Sequence, residues 1–124
     1  MQVEVRPGAV RGAILVPGSK SIAQRALVLA TRDGGAVRNV PPGQDIDRLC
    51  GGLRALGFRI DERPGERTVA GNFSASDAEI DMGDNGTGAR CLVALSALRD
   101  AATTIDGSES LRRRPVGPLC EVLR

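Results

Sequence analysis

Two stretches of the chain repeat one pattern 65 positions apart, and this repeat limits the possible folds more than any other feature. The first copy covers residues 14–28 and the second covers residues 79–93. Each copy reads as a short strand, a glycine, a polar loop and an apolar helix, and Arg25 of the first matches Arg90 of the second. One such unit rarely buries its own apolar face, so we expect both copies to belong to one domain.

The spacing of apolar and turn residues predicts an α/β chain (α+β) built from repeated βαβαββ units. The first unit covers about residues 13–71, and the second, at about residues 79–124, is expected to be truncated because no final strands follow its last helix. The predicted strands are 3–5, 13–16, 36–40, 58–60, 67–70, one starting near 79, and 102–105, and the predicted helices are 22–30, 45–56, 87–98 and 115–123.

Polar residues at the predicted helix starts indicate how those helices begin. Ser19 or Ser21 can cap the first helix and Asp45 the second, because their side-chain oxygens accept hydrogen bonds from free backbone N–H groups, and Thr87 can either cap the third helix or donate a hydrogen bond. The apolar stripe of the third helix predicts that Leu98 faces the core.

Composition excludes several classes of function. The 124 residues include no His, Trp or Tyr and only two Phe, and 17 basic side chains against 15 acidic ones give a net charge of +2. This balance is not typical of nucleic-acid binding, and the bases of a nucleic acid would find few aromatic rings to stack on. Any proton transfer falls to Asp, Glu or Lys, because the commonest acid–base side chain at neutral pH is absent.

The three cysteines do not indicate a metal or redox site. Cys50, Cys91 and Cys120 are far apart, lack metal-ligand spacing and lie in apolar helical patterns, so we expect buried thiols. No signal peptide or membrane-spanning run is visible in the sequence. We therefore predict a cytoplasmic location and no membrane partner.

The loop before the first predicted helix is the first candidate anion site. Lys20 supplies a cation, Ser21 a hydroxyl and the helix start its free N–H groups, while Arg25 lies one turn further on. A nucleotide-binding P-loop is excluded, because Ser19 separates Gly18 from the lysine. The alternative, solvated cations on an ordinary capped helix, weighs about equally.

Two further segments are candidates for anion binding. Gly86, before the third predicted helix, permits close backbone approach, although a plain tight turn explains the same residues. Residues 112–114 are three consecutive arginines, which are costly to place together without an anion, although a solvated basic turn is the usual outcome for such a run. Arg114 directly precedes a proline that favours a helix start, so it is the best placed of the three to face a ligand.

These segments together resemble a known enzyme family. Residues 16–21 (Val-Pro-Gly-Ser-Lys-Ser) with 25–30, residues 83–90 (Gly-Asp-Asn-Gly-Thr-Gly-Ala-Arg) and residues 114–119 (Arg-Pro-Val-Gly-Pro-Leu) are similar to three motifs of 5-enolpyruvylshikimate-3-phosphate (EPSP) synthases, in the same order. The resemblance implies transfer of the enolpyruvyl group of phosphoenolpyruvate to shikimate 3-phosphate in aromatic amino-acid biosynthesis. It also implies two similar domains of three repeats each and no metal or organic cofactor.

The resemblance also assigns roles to individual residues. It implies that Lys20 contacts both substrates and that Ser21 and Arg25 bind shikimate 3-phosphate. Gly86 would let the loop approach phosphoenolpyruvate, and Arg114 would clamp its phosphate or carboxylate. The remaining two positions, Thr87 and Arg90, would support the loop.

Some positions depart from the family pattern. Asp84 stands where Asn is usual, Asn85 replaces a small Ala, Cys91 a common Pro and Ser110 a frequent Arg, which puts affinity for phosphoenolpyruvate in question. The family's acid–base residues lie in later sequence, so no catalytic residue is identifiable. We therefore expect this chain to be inactive alone and to need a complementary chain that carries the missing repeats.

Two alternatives stay open. The chain is either part of an enolpyruvyl transferase or a non-catalytic module that binds phosphate and other anions on the same scaffold. The sister transferase that acts on a UDP-sugar fits less well, because it usually lacks the Pro-Gly-Ser-Lys-Ser string.

Overall fold

Five helices and five strands make up the fold in the computed structural model, which describes residues 2–124. This mixture of helix and strand confirms the predicted α+β class, whereas the division into repeats at about residues 13–71 and 79–124 stays a prediction. The helices are α1 (Lys20–Asp33), α2 (Gln44–Ala55), α3 (Gly86–Ser96), α4 (Glu109–Arg112) and α5 (Gly117–Val122), and the strands are β1 (Gly35–Arg38), β2 (Arg59–Arg63), β3 (Glu66–Ala70), β4 (Ala78–Asp81) and β5 (Thr103–Asp106).

The strands form two small sheets. In the first, β3 lies between β1 and β2 and pairs antiparallel with both, with Gly35 opposite Val69 and Ile60 opposite Val69 on the other side. In the second, β4 and β5 pair in parallel, with Ile80 opposite Ile105. Helix α3 connects these two parallel strands, as the crossover of a βαβ unit requires.

An aliphatic core joins the sheets to α1, α2 and α3. Leu27 of α1, Leu49 of α2 and Leu92 of α3 are fully buried in one cluster. Helices α2 and α3 approach closely at Gly52, where an added Cβ would lie 2.5 Å from the side chain of Leu92. The N-terminal ends of all three helices reach the surface, where the candidate site lies.

The two predicted strands before α1 are absent, and this part of the prediction is wrong. Residues 2–19 contain no strand, and Ile14 and Leu15 are 88% and 99% exposed. A strand requires hydrogen bonds from a neighbouring strand, and nothing in residues 2–124 pairs with this segment. The first predicted βαβαββ unit therefore appears without its opening strand, whereas the equivalent β4 forms because β5 lies beside it.

Smaller differences concern helix ends and cysteines. Leu98 is 73% exposed instead of facing the core, because α3 ends at Ser96. The short helix α4 was not predicted, and α5 begins two residues later than expected. Cys50 is fully buried as predicted, whereas the thiols of Cys91 and Cys120 are only partly covered. No helix within residues 2–124 has the length and apolar character needed to cross a membrane.

Candidate anion-binding site

The starts of α1, α2 and α3 are linked to one another through side chains. Lys20 is the first residue of α1, and its Nζ lies 2.5 Å from Oδ2 of Asp45 in the first turn of α2. Asn85 precedes α3, and its Nδ2 donates a hydrogen bond of 2.7 Å to the backbone carbonyl of Asp45. Because free N–H groups and the positive end of the helix dipole lie at each start, this surface favours anions.

Ser19 and Gly18 fix the start of α1. The hydroxyl of Ser19 accepts a hydrogen bond from the backbone N–H of Ile22 at 3.4 Å, so Ser19 is the cap and Ser21 is not. A Cβ at Gly18 would lie 1.9 Å from the carbonyl oxygen of Asn39, which leaves no room for any other residue. The loop therefore passes tightly over the end of β1 before α1 begins.

Asn85, not the predicted Thr87, caps α3. Its Oδ1 accepts a hydrogen bond from the N–H of Gly88 at 2.9 Å, and the Asn85 side chain is 1% exposed. The predicted cap of α2 is also wrong, because α2 starts after Gly43 and the carboxylate of Asp45 pairs with Lys20 instead.

A cavity of about 330 Å³ lies over the start of α3. Five of the seven residues predicted from the sequence surround it, whereas Lys20 and Ser21 lie nearby at the start of α1 without lining it. The lining residues are Arg25, Gly86, Thr87, Arg90, Cys91 and Arg114.

The charge in this cavity is not neutralised by neighbouring carboxylates. Neither Arg25 nor Arg114 has a carboxylate partner among residues 2–124. The other two residues of the arginine run are paired, because Arg112 contacts Asp106 at 2.6 Å and Arg113 pairs with Glu109. Ion pairs thus account for two of the three consecutive arginines, and the third faces the start of α3.

Gly86 and Arg90 determine where Arg114 lies. A Cβ at Gly86 would lie 2.5 Å from Nη1 of Arg114, so the guanidinium rests where any other side chain would begin. Nη2 of Arg90 donates a hydrogen bond of 3.1 Å to the carbonyl of Pro115, which ties α3 to the segment that carries Arg114. The space left by Gly86 and the hydrogen bond from Arg90 to Pro115 together hold the guanidinium of Arg114 beside the start of α3.

Cys91 is the one cavity residue, apart from the arginines, with a titratable side chain. Burial raises the pKa of its thiol, and the charge of Arg25 only partly opposes that effect. The thiol therefore stays neutral at neutral pH. The lining contains guanidinium groups, backbone and hydroxyl donors, and no carboxylate or lysine that could transfer a proton.

Asp84, whose charge departs from the family pattern, is exposed and pairs with a neighbouring hydroxyl group. Its carboxylate accepts a hydrogen bond from the hydroxyl of Ser108, which also caps α4 by accepting from the N–H of Leu111 at 3.1 Å. Asp84 is not among the residues that line the cavity. Its negative charge is therefore directed toward the start of α4.

Sequence reasoning missed two residues of this region. The sequence pattern indicates a cap at Asp45 and a turn at Asn85, yet in the structure the two residues link the starts of three helices. For Asp45 no sequence pattern indicated the pair with Lys20, because that contact depends on how α1 and α2 pack. For Asn85 no sequence signal indicated burial.

Comparisons with known proteins point to one enzyme family. The EPSP synthase (3-phosphoshikimate 1-carboxyvinyltransferase) family profile matches residues 5–124. A 3-phosphoshikimate 1-carboxyvinyltransferase from Rhizobium leguminosarum bv. trifolii is 38% identical over 127 residues, which cover 97% of this chain and 30% of that protein. One from Mycobacterium ulcerans is 36% identical, covering 95% of this chain and 29% of that protein.

Solved structures show the same relationship. The EPSP synthase from Acinetobacter baumannii superposes with a TM-score of 0.69 at 26% identity, covering 89% of this chain and 27% of that chain. The chain spans about 30% of the length of the curated relatives it matches. The profile match, the sequence identity and the shared fold agree, and the chain belongs to the EPSP synthase family.

Proposed function

We propose that this chain forms part of the substrate-binding surface for enolpyruvyl transfer from phosphoenolpyruvate to shikimate 3-phosphate. The observation that carries the proposal is the cavity at the start of α3, which Arg25 and Arg114 line without a carboxylate partner among residues 2–124. Both substrates are multiply anionic, and converging cations and N–H donors hold two such anions together against their repulsion. A cytoplasmic location is part of the same proposal.

The geometry favours binding of phosphoenolpyruvate at the start of α3 and of shikimate 3-phosphate at the start of α1. Arg114 lies against Gly86, so a phosphate or carboxylate of phosphoenolpyruvate would meet its guanidinium and the N–H groups of α3 together. Arg25 reaches the same cavity from α1, whose first turn carries Lys20 and Ser21 for shikimate 3-phosphate. In this proposal Lys20 is shared between the ligand and Asp45.

The proposed role is binding, because the cavity has no proton-transfer group among the described residues that line it. Its lining contains no Asp, Glu or Lys, and its thiol is neutral. We expect a complementary chain to supply the acid–base residues and this chain alone to release no phosphate from the two substrates. The second candidate function is a non-catalytic anion-binding module, which would use the same cavity with Arg25 and Arg114.

Calorimetry of the purified chain with phosphoenolpyruvate and with shikimate 3-phosphate tests the binding role. We expect Arg114→Ala to weaken phosphoenolpyruvate binding about 10- to 100-fold, because one charge-assisted contact contributes about 1.5–3 kcal/mol. Arg113→Ala is the matched control, since Arg113 is the adjacent residue and pairs with Glu109. No binding by the unaltered chain, or equal losses in both variants, would contradict the proposal.

A steady-state assay separates the enzyme from the binding module. The chain is mixed with a polypeptide carrying the remaining length of a family member, and phosphate release is followed with both substrates present. Release that requires both polypeptides supports the transferase function. Substrate binding without release in the mixture supports the non-catalytic module.

A further inference from the structure

Asn85 is a buried polar side chain directly before α3, and the proposed roles leave it unused. It is 1% exposed, and both ends of its amide are engaged. Its Oδ1 accepts from the N–H of Gly88 at 2.9 Å, and its Nδ2 donates to the backbone carbonyl of Asp45 at 2.7 Å. A buried amide satisfied at both ends fixes the position of whatever it joins.

The groups that Asn85 joins belong to different halves of the site. Gly88 lies in the first turn of α3, beneath the cavity that holds Arg114. Asp45 lies in the first turn of α2, and its carboxylate contacts the ammonium of Lys20 at 2.5 Å. A continuous series of contacts therefore runs from Lys20 through Asp45 and Asn85 to the N–H groups of α3.

The space around Asn85 agrees with this role. A Cβ at Gly88 would lie 2.5 Å from Nδ2 of Asn85 and 2.6 Å from Cε of Met82. The glycine at position 88 thus leaves room for the amide to lie between α2 and α3. The absence of a side chain at Gly88 provides the space that the Asn85 side chain fills. The larger residue at position 85 therefore fits between the helices.

We propose that Asn85 is a positioning residue that sets the distance between Lys20 and the start of α3, so that both meet one bound anion. The proposal rests on the proposed function and extends it to a residue outside the cavity. Its physical basis is preorganisation, because donors held at the correct spacing lose less freedom when the ligand binds.

Asn85→Ser isolates the contact with Asp45. Serine retains a side-chain oxygen that can cap α3, so the helix start is kept, but it cannot reach Asp45 with an N–H donor. Asn85→Asp likewise retains the acceptor and loses the donor, and it should behave as Asn85→Ser does or worse. Asn72→Ser is the matched control, because Asn72 is exposed and makes no side-chain hydrogen bond in residues 2–124.

A double-mutant cycle on the full chain measures the coupling, with phosphoenolpyruvate as the calorimetric probe, because it is the substrate assigned both to Lys20 and to the start of α3. We expect Asn85→Ser to weaken binding about three- to tenfold, the effect of one net hydrogen bond. In a Lys20→Ala background the same change should weaken binding less than twofold, because the partner that Asn85 positions is gone. An equal factor in both backgrounds would show that Asn85 only stabilises the fold and would overturn the proposal.

A ligand-free measurement keeps this result separate from the proposed function. In amide NMR spectra, Lys20→Ala should shift the Gly88 resonance in the otherwise unaltered chain and leave it unchanged in the Asn85→Ser background. If the unaltered chain binds no phosphoenolpyruvate, the proposed function fails, and the spectra alone decide whether Lys20 is coupled to α3. An identical Gly88 shift in both backgrounds would refute the coupling.

Discussion

The two copies of the repeated pattern, residues 14–28 and 79–93, fold differently over their first few residues and alike over their helices. Leu15 and Ile80 occupy equivalent positions, yet Leu15 is 99% exposed and Ile80 is 6% exposed. Ile80 lies in β4 and pairs with β5, whereas no strand in residues 2–124 lies beside Leu15. The comparison shows that a helix needs only its own sequence and one packed face, whereas a strand also needs a neighbour.

Truncating the two equivalent residues should give the largest contrast. Ile80→Ala removes buried atoms from the core, so we expect the free energy of unfolding to fall by about 2–5 kcal/mol. Leu15→Ala should change it by less than about 0.5 kcal/mol, because an exposed side chain has no packing to lose. Urea denaturation followed by circular dichroism measures both values. A large loss from Leu15→Ala would mean that residues 13–16 pack against the domain after all.

The second prediction concerns two glycines in the segment before α1, Gly18 and Gly8. Gly18→Ala would place a Cβ 1.9 Å from a backbone oxygen of Asn39, so the loop must move, and we expect a loss of about 1–3 kcal/mol. Gly8→Ala is the matched control, because nothing lies within 4 Å of a Cβ at Gly8. Thermal unfolding of both variants checks this expectation. Equal stability of the two variants would mean that the loop before α1 does not rest on the end of β1.

The smallest expected effect is a dependence of stability on pH at the end of β5. Arg112 and the N–H of Gly107 lower the pKa of Asp106 from 3.8 to about 2. A carboxyl group whose pKa is lower in the folded state stabilises the fold above pH 3.8, and that contribution is lost as the pH falls toward 2. Asp106→Asn should therefore reduce the loss of stability between pH 4 and pH 2.

Denaturation curves at several pH values within that range measure the difference between Asp106→Asn and the unaltered chain. Asp33→Asn is a suitable control, because Asp33 is exposed and its nearest cation, Arg32, is 3.8 Å away. Identical pH profiles for Asp106→Asn and the unaltered chain would show that the pair with Arg112 does not stabilise the fold.

Much of the fold was predictable because local patterns determine it. The apolar stripes located α1, α2 and α3 within a few residues, and the strands predicted at 58–60 and 67–70 overlap β2 and β3. The strand predicted at residues 13–16 failed because pairing depends on distant residues, which the pattern within the segment does not report. The prediction that Leu98 faces the core is wrong for a simpler reason, because the apolar pattern continues past Ser96, where α3 ends.

The sequence predicted most residues of the candidate site but not which of its charged side chains form ion pairs. Glycine, lysine and arginine near helix starts indicated anion binding, and five of the seven predicted residues line one cavity. The sequence did not reveal that Arg112 and Arg113 would pair with acids and leave Arg114 unpaired in the part of the chain described. It also did not reveal the contact between Lys20 and Asp45, because that contact depends on how α1 and α2 pack.

The most direct test of the account is an NMR titration of the labelled chain with phosphoenolpyruvate, which follows the amides of Gly86 and Thr87 and the guanidinium Nε resonances of Arg25 and Arg114. The account predicts that these resonances shift together and saturate at one affinity, while the Nε resonance of Arg113 stays in place. Shifts confined to other arginines, or shifts at Arg25 and Arg114 with different affinities, would contradict the central claim that one cavity at the start of α3 binds the anion.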